Sequence, residues 1–427
     1  MDKPIVTAFD VGTTHLTVLV GRQEVVPGRA GNDGGISVLG ATSVPCTGMR
    51  KGAMVSLEAV TNAIHDALDE IERQTGLEIG EVRVATASAK AVVDNGVEEV
   101  ALRSGEVRAS DVERVAAQAR SQRPHAGHDV VHLLPGDFVV DGKAGVLNPV
   151  GMFGQKLVLG HHRVQLPSLE LKNLLRAFNT AGLKVSQFAY EPLTAAQGVL
   201  TADERELGVL SVNFGASLTH LALFAGRVPV HCRDLPIASH HVTKDLAIGL
   251  RTTLVEAERL KREYGLGAPG GAGAFDPVEV QTLDNSLAGG ALSGGGRVAT
   301  RQEIGRIVEA RVREMLGEVA AEVRRQKLSG VLGKGVVLSG GGALLNGLVP
   351  LAESILGLPC RLGLPLQPTG ITESLRTPSA ATAFGLLAPV FAAVQAPPAF
   401  LAGVTPESTG LLKRSKSLLS RLASPFG

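Results

Sequence analysis

Aromatic side chains make up 3% of the 427 residues; tryptophan is absent and tyrosine occurs twice. Single-stranded nucleic acids bind on stacked aromatic platforms, so no nucleic-acid partner is expected. Charge of one sign is lacking too. A formal net charge of +1 supplies no global field, so any basic function must be local. The three cysteines, Cys46, Cys232 and Cys360, have no paired spacing. That argues against a disulfide framework or a zinc site and fits a reducing compartment. No window reaches the roughly 18 apolar residues of a membrane span. The start, Met1 to Val6, is charged and then strand-like, without the apolar core of a signal peptide. A cytosolic protein is expected, unless a peripheral element holds it to a bilayer.

What is present is apolar material, 44% of the chain, enough for two or three compact units at about 150 residues each. Strand-like runs alternate with helix-like segments, which points to α/β layers. Ile5–Asp10 and Leu16–Val20 flank a Gly-Thr-Thr turn and read as a hairpin. Leu57–Gln74 reads as an amphipathic helix, Val82–Thr86 as a buried strand, and Gln302–Lys327 as a long charged helix. Asp111–Arg120 reads as a short helix with Ser110 as its N-cap. Thr14–Arg22 matches Thr219–Arg227, a repeat about 205 residues apart that suggests a duplicated lobe. The adjacent pairs His161-His162 and His240-His241 read as exposed or locally bonded, not as metal ligands.

Three motifs carry chemistry. Phe9-Asp10-Val11-Gly12-Thr13-Thr14 ends a strand in a glycine turn. Gly12 lets backbone pass close to an anion, and Thr13 and Thr14 can donate to phosphate oxygens. Asp10 can hold Mg2+ through water, since magnesium dehydrates reluctantly. By itself the segment equally fits an ordinary hairpin. The second hairpin, Asn213-Phe214-Gly215-Ala216-Ser217-Leu218-Thr219, has a matching glycine and hydroxyls, but Asn213 brings no negative charge. In the third, Val336–Ser339 runs into Gly340, Gly341, Gly342 and Ala343. A flat ring or a phosphate can lie against such a turn, although a plain strand-to-helix turn reads the same way.

Two such hairpins and a glycine turn, in this order, resemble the actin, Hsp70 and sugar-kinase ATPase superfamily. That resemblance implies an α/β, actin-like two-lobed fold with a duplicated core. Its hairpins would straddle the phosphates of ATP and its glycine turn would contact adenosine. Thr219-His220 is similar to actin at the second hairpin. Ala257–Lys261 resembles the helix whose Glu258 and Lys261 would approach the ribose, and otherwise reads as a solvated helix face. Glu191-Pro192-Leu193-Thr194 resembles the segment in which a carboxylate positions an attacking water; it also reads as a plain helix start. Asn213 for Asp, and Ala216 and Ser217 for glycines, depart from the superfamily pattern. At most a weak ATPase is expected.

Gly48-Met49-Arg50-Lys51-Gly52, Val131-His132-Leu133-Leu134-Pro135, Asn148-Pro149-Val150-Gly151-Met152 and Ala381–Leu387 narrow the resemblance to the FtsA family of bacterial cell-division proteins. It implies a first lobe core at 1–87 and 162–194 and an inserted small α+β domain at 88–161. A second lobe core at 195–235 and 306–391 would carry a small subdomain at 236–305. The implied partners are the FtsZ C-terminal tail, further copies of the chain in a filament, later division proteins through the inserted domain, and anionic membrane lipid. The implied place is the cytoplasmic face of the membrane at the division site. Two rivals are a PilM-like pilus-assembly protein and a kinase- or chaperone-type ATPase.

Residues 392–408 read as a proline-containing linker, and 409–427 as an amphipathic membrane-targeting tail. Projected on a helix, Leu411, Leu412, Leu418, Leu419 and Leu422 fall within roughly 120°. Lys413, Arg414, Lys416 and Arg421 fall outside that arc. An apolar stripe with a cationic flank lies in a bilayer interface, drawn by about 1 kcal/mol per basic residue near anionic lipid. Docking on a protein core is the alternative. Removal of residues 409–427 is expected to abolish cosedimentation with anionic vesicles. Undiminished cosedimentation of the shortened chain would exclude the tail as the membrane element.

Overall fold

The computed structural model describes residues 5–23, 36–266, 273–281, 297–366, 368–369 and 375–388. Two sheets share one topology. The first runs Lys184–Tyr190, Glu81–Thr86, Ile5–Val11, His15–Gln23, Ile36–Pro45 and Pro368–Thr369. The second runs Cys360–Leu362, Val336–Ser339, Val209–Phe214, Thr219–Phe224 and Pro229–Leu235. In each, three antiparallel strands continue into two parallel ones, and Pro368–Thr369 adds a parallel edge strand to the first. Parallel strands need crossovers. These are helices Leu57–Thr75 and Ser168–Thr180 in the first lobe, and Arg301–Arg325 and Leu348–Leu356 in the second. The expected two-lobed α/β core is therefore duplicated.

Local chemistry explains the elements. In Leu57–Thr75 the Ser56 side chain accepts the Ala59 amide, and Gly76 closes the helix in the left-handed region at φ 67°. Val60, Ile64, Leu68 and Ile71 follow helical spacing and are buried. All residues of Val209–Phe214 and Thr219–Phe224 are buried, as strands covered on both faces must be. Helix Ala109–Ser121 starts two residues before the expected Asp111. Its flanking residue is Arg108, not Ser110. The Asp111 carboxylate reaches back to accept the Arg108 amide at 3.0 Å, which leaves Ser110 inside the first turn.

The apparent repeat is two residues out of register. Gly12 N donates to His15 O and Gly215 N to Leu218 O, each at 3.0 Å, so Gly12 is equivalent to Gly215 and Asp10 to Asn213. Thr14 is thereby equivalent to Ser217, not to Thr219. A slip of two preserves the in-and-out alternation of a strand, which is why a pattern match tolerates it.

Between Glu81–Thr86 and Ser168–Thr180 the chain builds a four-stranded antiparallel sheet, in the order Val92–Ala101, Lys156–Pro167, His128–Val140, Lys143–Val146. Helix Ala109–Ser121 packs against it. His161 and His162 lie on its strand Lys156–Pro167 and both are buried. His161 lines a small apolar space with Ala116, Ala119 and Leu133, while His162 Nδ1 pairs with Asn95 Oδ1 at 2.7 Å. They are therefore not exposed, because that strand is covered on both faces. The second lobe carries its smaller insert elsewhere, between Pro229–Leu235 and Arg301–Arg325, with helices Ser239–Leu250 and Leu254–Tyr264 and the hairpin Pro277–Val280 with Arg297–Thr300.

Two short helices brace the lobes. Glu191–Val199 leaves the first sheet, and Ala381–Leu387 returns from the second lobe to pack on Val6, Ala8, Leu19 and Ala85 of the first. They cross with almost no side chain between them. A Cβ on Gly198 would strike Ala381 O, and one on Gly385 would strike Thr194 O. Gly385→Ala is expected to destabilise the protein by about 1–3 kcal/mol through overpacking, read as a lower urea midpoint. An unchanged midpoint would show that the crossing can relax.

Candidate functional site

The two hairpin turns face each other across the gap between the lobes. Thr13 Oγ1 and Ser217 Oγ lie 2.6 Å apart, and the Lys51 amide donates to Ser217 Oγ at 3.1 Å. A Cβ on Gly12 or Gly215 would come within 2.8 Å of the carbonyl oxygen across its own turn. Both turns therefore require glycine to close, and both leave small polar groups at one point.

The glycine turn sits on the second hairpin. Asn213 pairs with Ser339 in the parallel register, and Gly340, at φ 83°, leaves no room for a side chain against Asn213 Oδ1 and Phe214 O. The Gly340 amide donates to Pro378 O at 2.8 Å. Asn213 Nδ2 donates to Thr382 Oγ1 at 3.1 Å, which ties the hairpin to the bracing helix Ala381–Leu387. A Cβ on Gly342 would lie 2.7 Å from Phe214 Cβ, whereas Gly341 faces open space. Ala343 is buried behind it. The Thr219 hydroxyl donates to Ile237 O at 2.7 Å, and the Thr14 hydroxyl meets His15 Nδ1 at 3.1 Å.

A run of charged groups is buried beneath the turns. Asp234 Oδ1 lies 2.6 Å from His220 Nδ1, and His220 Nε2 lies 3.1 Å from Glu191 Oε1. With a carboxylate on each ring nitrogen, both nitrogens donate and the ring is an imidazolium. Burial alone would push the His220 pKa down, but Glu191 and Asp234 outweigh it and hold it at about 10. Asp10 is next in the run. Burial, with Glu191 adding, pushes its carboxyl well above the usual range, and His220 only partly opposes this. Its Oδ1 is buried without a hydrogen-bond partner among the described residues. An unpartnered carboxylate oxygen beside two glycine turns is suited to a hydrated divalent cation.

The second hairpin leads on to the helix pair of the second lobe. Ser239 Oγ donates to Gly215 O at 2.5 Å and the His240 amide to Ala216 O at 2.8 Å. One turn along Ser239–Leu250, Thr243 donates to Glu258 Oε2 at 2.7 Å, and Lys261 Nζ reaches the same oxygen at 2.6 Å. Burial raises the Glu258 pKa, but Lys261 and these hydrogen bonds prevail and bring it to about 2. Asp10, Gly12, Thr13, Gly215, Ala216, Ser217 and Glu191 thus meet in one place, with Gly340–Gly342 and the Glu258–Lys261 pair joined to it through the second hairpin. Leu411, Leu412, Lys413, Arg414, Lys416, Leu418, Leu419, Arg421 and Leu422 lie outside the described residues. Asp234 escaped the sequence reading. Only the register that pairs it with His220 across strands reveals it; its one signal is an acidic residue in the strand-like run after the second hairpin.

The comparisons with known proteins agree with one another. Residues 210–385 match the model of the cell division protein FtsA, and residues 89–165 match the SHS2 domain inserted in FtsA. A cell division protein FtsA from Pseudomonas aeruginosa is 34% identical over 385 residues, covering 90% of this chain and 88% of its own. The chain belongs to the FtsA family. FtsA of Escherichia coli K12 is 32% identical over 396 residues, with 90% of both chains covered. Among solved structures, the PilM–PilN type IV pilus biogenesis complex matches with a TM-score of 0.58 at 17% identity, covering 90% of this chain and 97% of that one. MreB5 of Spiroplasma citri bound to AMPPNP matches with a TM-score of 0.53 at 14% identity, covering 90% and 95%. At such identities the structures establish an actin-like fold and nothing finer, so the PilM likeness does not compete with family membership. This is an FtsA-family cell division protein with an actin-like fold.

The His220 charge has a consequence for stability. The unfolded histidine releases its proton near pH 6.5, whereas the folded one keeps it to about pH 10. The stabilisation is full below pH 6.5 and is lost as pH rises toward 10. One proton held by the folded state alone lowers stability by at most about 1.4 kcal/mol per pH unit. Denaturant midpoints should therefore fall between pH 7 and pH 9, and fall less steeply in His220→Gln; parallel slopes in the two proteins would contradict a buried imidazolium.

Proposed function

We propose that this chain binds ATP with Mg2+ between its lobes, polymerises in that state, and tethers the FtsZ division filament to the cytoplasmic membrane through its C-terminal tail. The meeting of Thr13 with Ser217 beside the unpartnered Asp10 oxygen carries the nucleotide reading. Backbone and hydroxyls of Gly12, Thr13, Thr14, Gly215, Ala216 and Ser217, with Asn213 beneath them, would hold the phosphates; Thr219, expected among them, is buried with its hydroxyl committed to Ile237 O. Asp10 would hold the metal through water. Glu258 and Lys261 would approach the ribose, and Gly340–Ala343 the adenosine. Magnesium would neutralise charge between the phosphates and Asp10. MreB5, which shares the fold, has been captured with ADP and with AMPPNP.

Glu191 would position a water, but its carboxylate is engaged by His220. Asn213 adds no charge where Asp10 has one, and its amide is committed to Thr382. Both features favour a protein that holds ATP over one that turns it over, at most a weak ATPase. Bound ATP would draw the lobes together and favour the form that adds to a filament. A filament would array many tails, and avidity would convert a weak reversible anchor into a firm one. The inserted domain would face neighbouring copies and later division proteins, and the small subdomain of the second lobe the FtsZ tail.

One reconstitution tests this reading. Anionic vesicles, the full chain and FtsZ filaments are mixed with and without Mg-ATP, and FtsZ in the vesicle pellet is measured. Mg-ATP should increase recruitment, and Asp10→Ala should require at least about tenfold more ATP. Absence of FtsZ from the pellet would refute the tether. Recruitment indifferent to ATP and to Asp10 would refute the nucleotide arm.

A further inference from the structure

The inserted domain is rooted where the candidate nucleotide cleft ends. Its first sheet residue is Val92, and the chain reaches it from strand Glu81–Thr86 through Ala87 and Ser88. The Ser88 amide donates to Asp234 Oδ2 at 3.1 Å. The other oxygen of that carboxylate meets His220 Nδ1 at 2.6 Å, and the far side of the ring meets Glu191 at 3.1 Å. A single buried carboxylate thus joins the root of the insert to the residue facing Asp10.

A second route reaches the same root. Lys51 and Gly52 both adopt left-handed backbone, at φ 51° and 82°. The Lys51 amide donates to Ser217 Oγ, which meets Thr13. Gly52 presses on the root from outside. A Cβ there would strike Ala87 O and lie 2.8 Å from Ser88 Cα. The strand that carries Asp234 also grips the insert farther along. Asn95 Nδ2 donates to Val230 O at 2.9 Å, while Asn95 Oδ1 accepts from His162 at 2.7 Å.

We propose that Asp234 is a positioning residue that couples occupancy of the cleft to the setting of the inserted domain, holding the His220 ring with one oxygen and the Ser88 amide with the other. The proposal rests on the nucleotide reading of the cleft. Its physical basis is close packing. Groups buried at solid density do not absorb a displacement locally. A ligand that shifts Glu191 must carry the His220 ring, the shared carboxylate and the Ser88 amide along, and one that shifts Ser217 must carry the Lys51–Gly52 turn that packs on Ala87–Ser88, or either must break a hydrogen bond at a cost of about 1–3 kcal/mol. A carboxylate is required for the double link, because both partners are donors. Asparagine in its place can accept from one of them only, and turns its own NH2 toward the other.

Hydrogen exchange tests the coupling in the full chain. Amides of Val92–Ala101 are followed with and without Mg-AMPPNP, at concentrations that saturate each protein, and binding of the same nucleotide is measured directly. In the wild type the nucleotide should slow exchange there by about tenfold, and Asp234→Asn should lose most of that slowing. If Mg-AMPPNP binds and exchange at Val92–Ala101 is unchanged, the coupling fails and the nucleotide reading stands. If Mg-AMPPNP does not bind the wild type, both fail. Equal slowing in wild type and Asp234→Asn would remove Asp234 from the route. Should Asp234→Asn not fold, Ser88→Pro breaks the same link from the other side, since proline has no amide hydrogen, and the same loss of slowing is expected.

Discussion

One buried imidazolium holds together the acidic interior of this protein. Asp10, Glu191 and Asp234 converge where the lobes meet, and His220 is the cation shown between two of them. An isolated carboxylate taken from water into a protein interior is costly, and it is tolerated when paired or neutralised. His220 satisfies Glu191 and Asp234. It leaves an excess of acid at Asp10, whose buried oxygen has no hydrogen-bond partner among the described residues. That imbalance, more than any glycine motif, is the physical reason to read the cleft as a place for a hydrated cation and the anion that accompanies it.

The rest of the architecture makes such a site affordable. The core of the first lobe runs on into one face of the second sheet, through Val209, Ala222, Phe224, Cys232 and Val337, while the other face of that sheet has a core of its own. Two short helices also join the lobes, crossing at Gly198 and Gly385 with backbone nearly on backbone. A contact of this kind is stiff at the crossing and has no long side chains to rearrange around it. At the hairpin turns the lobes meet through small polar contacts, Thr13 with Ser217 and Lys51 with Ser217. The two inserts leave the duplicated core at different points, one after Glu81–Thr86 and the other after Pro229–Leu235.

Much of this was legible in the residues. Helix Leu57–Thr75 was readable to within one residue because its cap, its apolar stripe and its closing glycine all agree. The hairpins and the glycine turn were readable because a turn with no room for a Cβ leaves a mark in one letter. Ser110 misled because a good capping residue lies beside a better arrangement, in which Asp111 reaches back to Arg108. The repeat was found two residues out of register because strand alternation is blind to such a slip. The burial of His161 and His162 is not legible in the chain, because nothing in a strand's own sequence says that both of its faces are covered.

By itself the sequence determined the duplicated α/β core, the family, the turns that need glycine and the polar groups that line them, since these follow from local sterics, periodicity and motif order. It also carries the basic apolar tail. Only the tertiary structure decided which buried groups face one another. Asp234 lies fourteen positions from His220 and Glu191 lies on another lobe, and a buried charge takes its protonation state from neighbours brought by folding, not from neighbours in the chain.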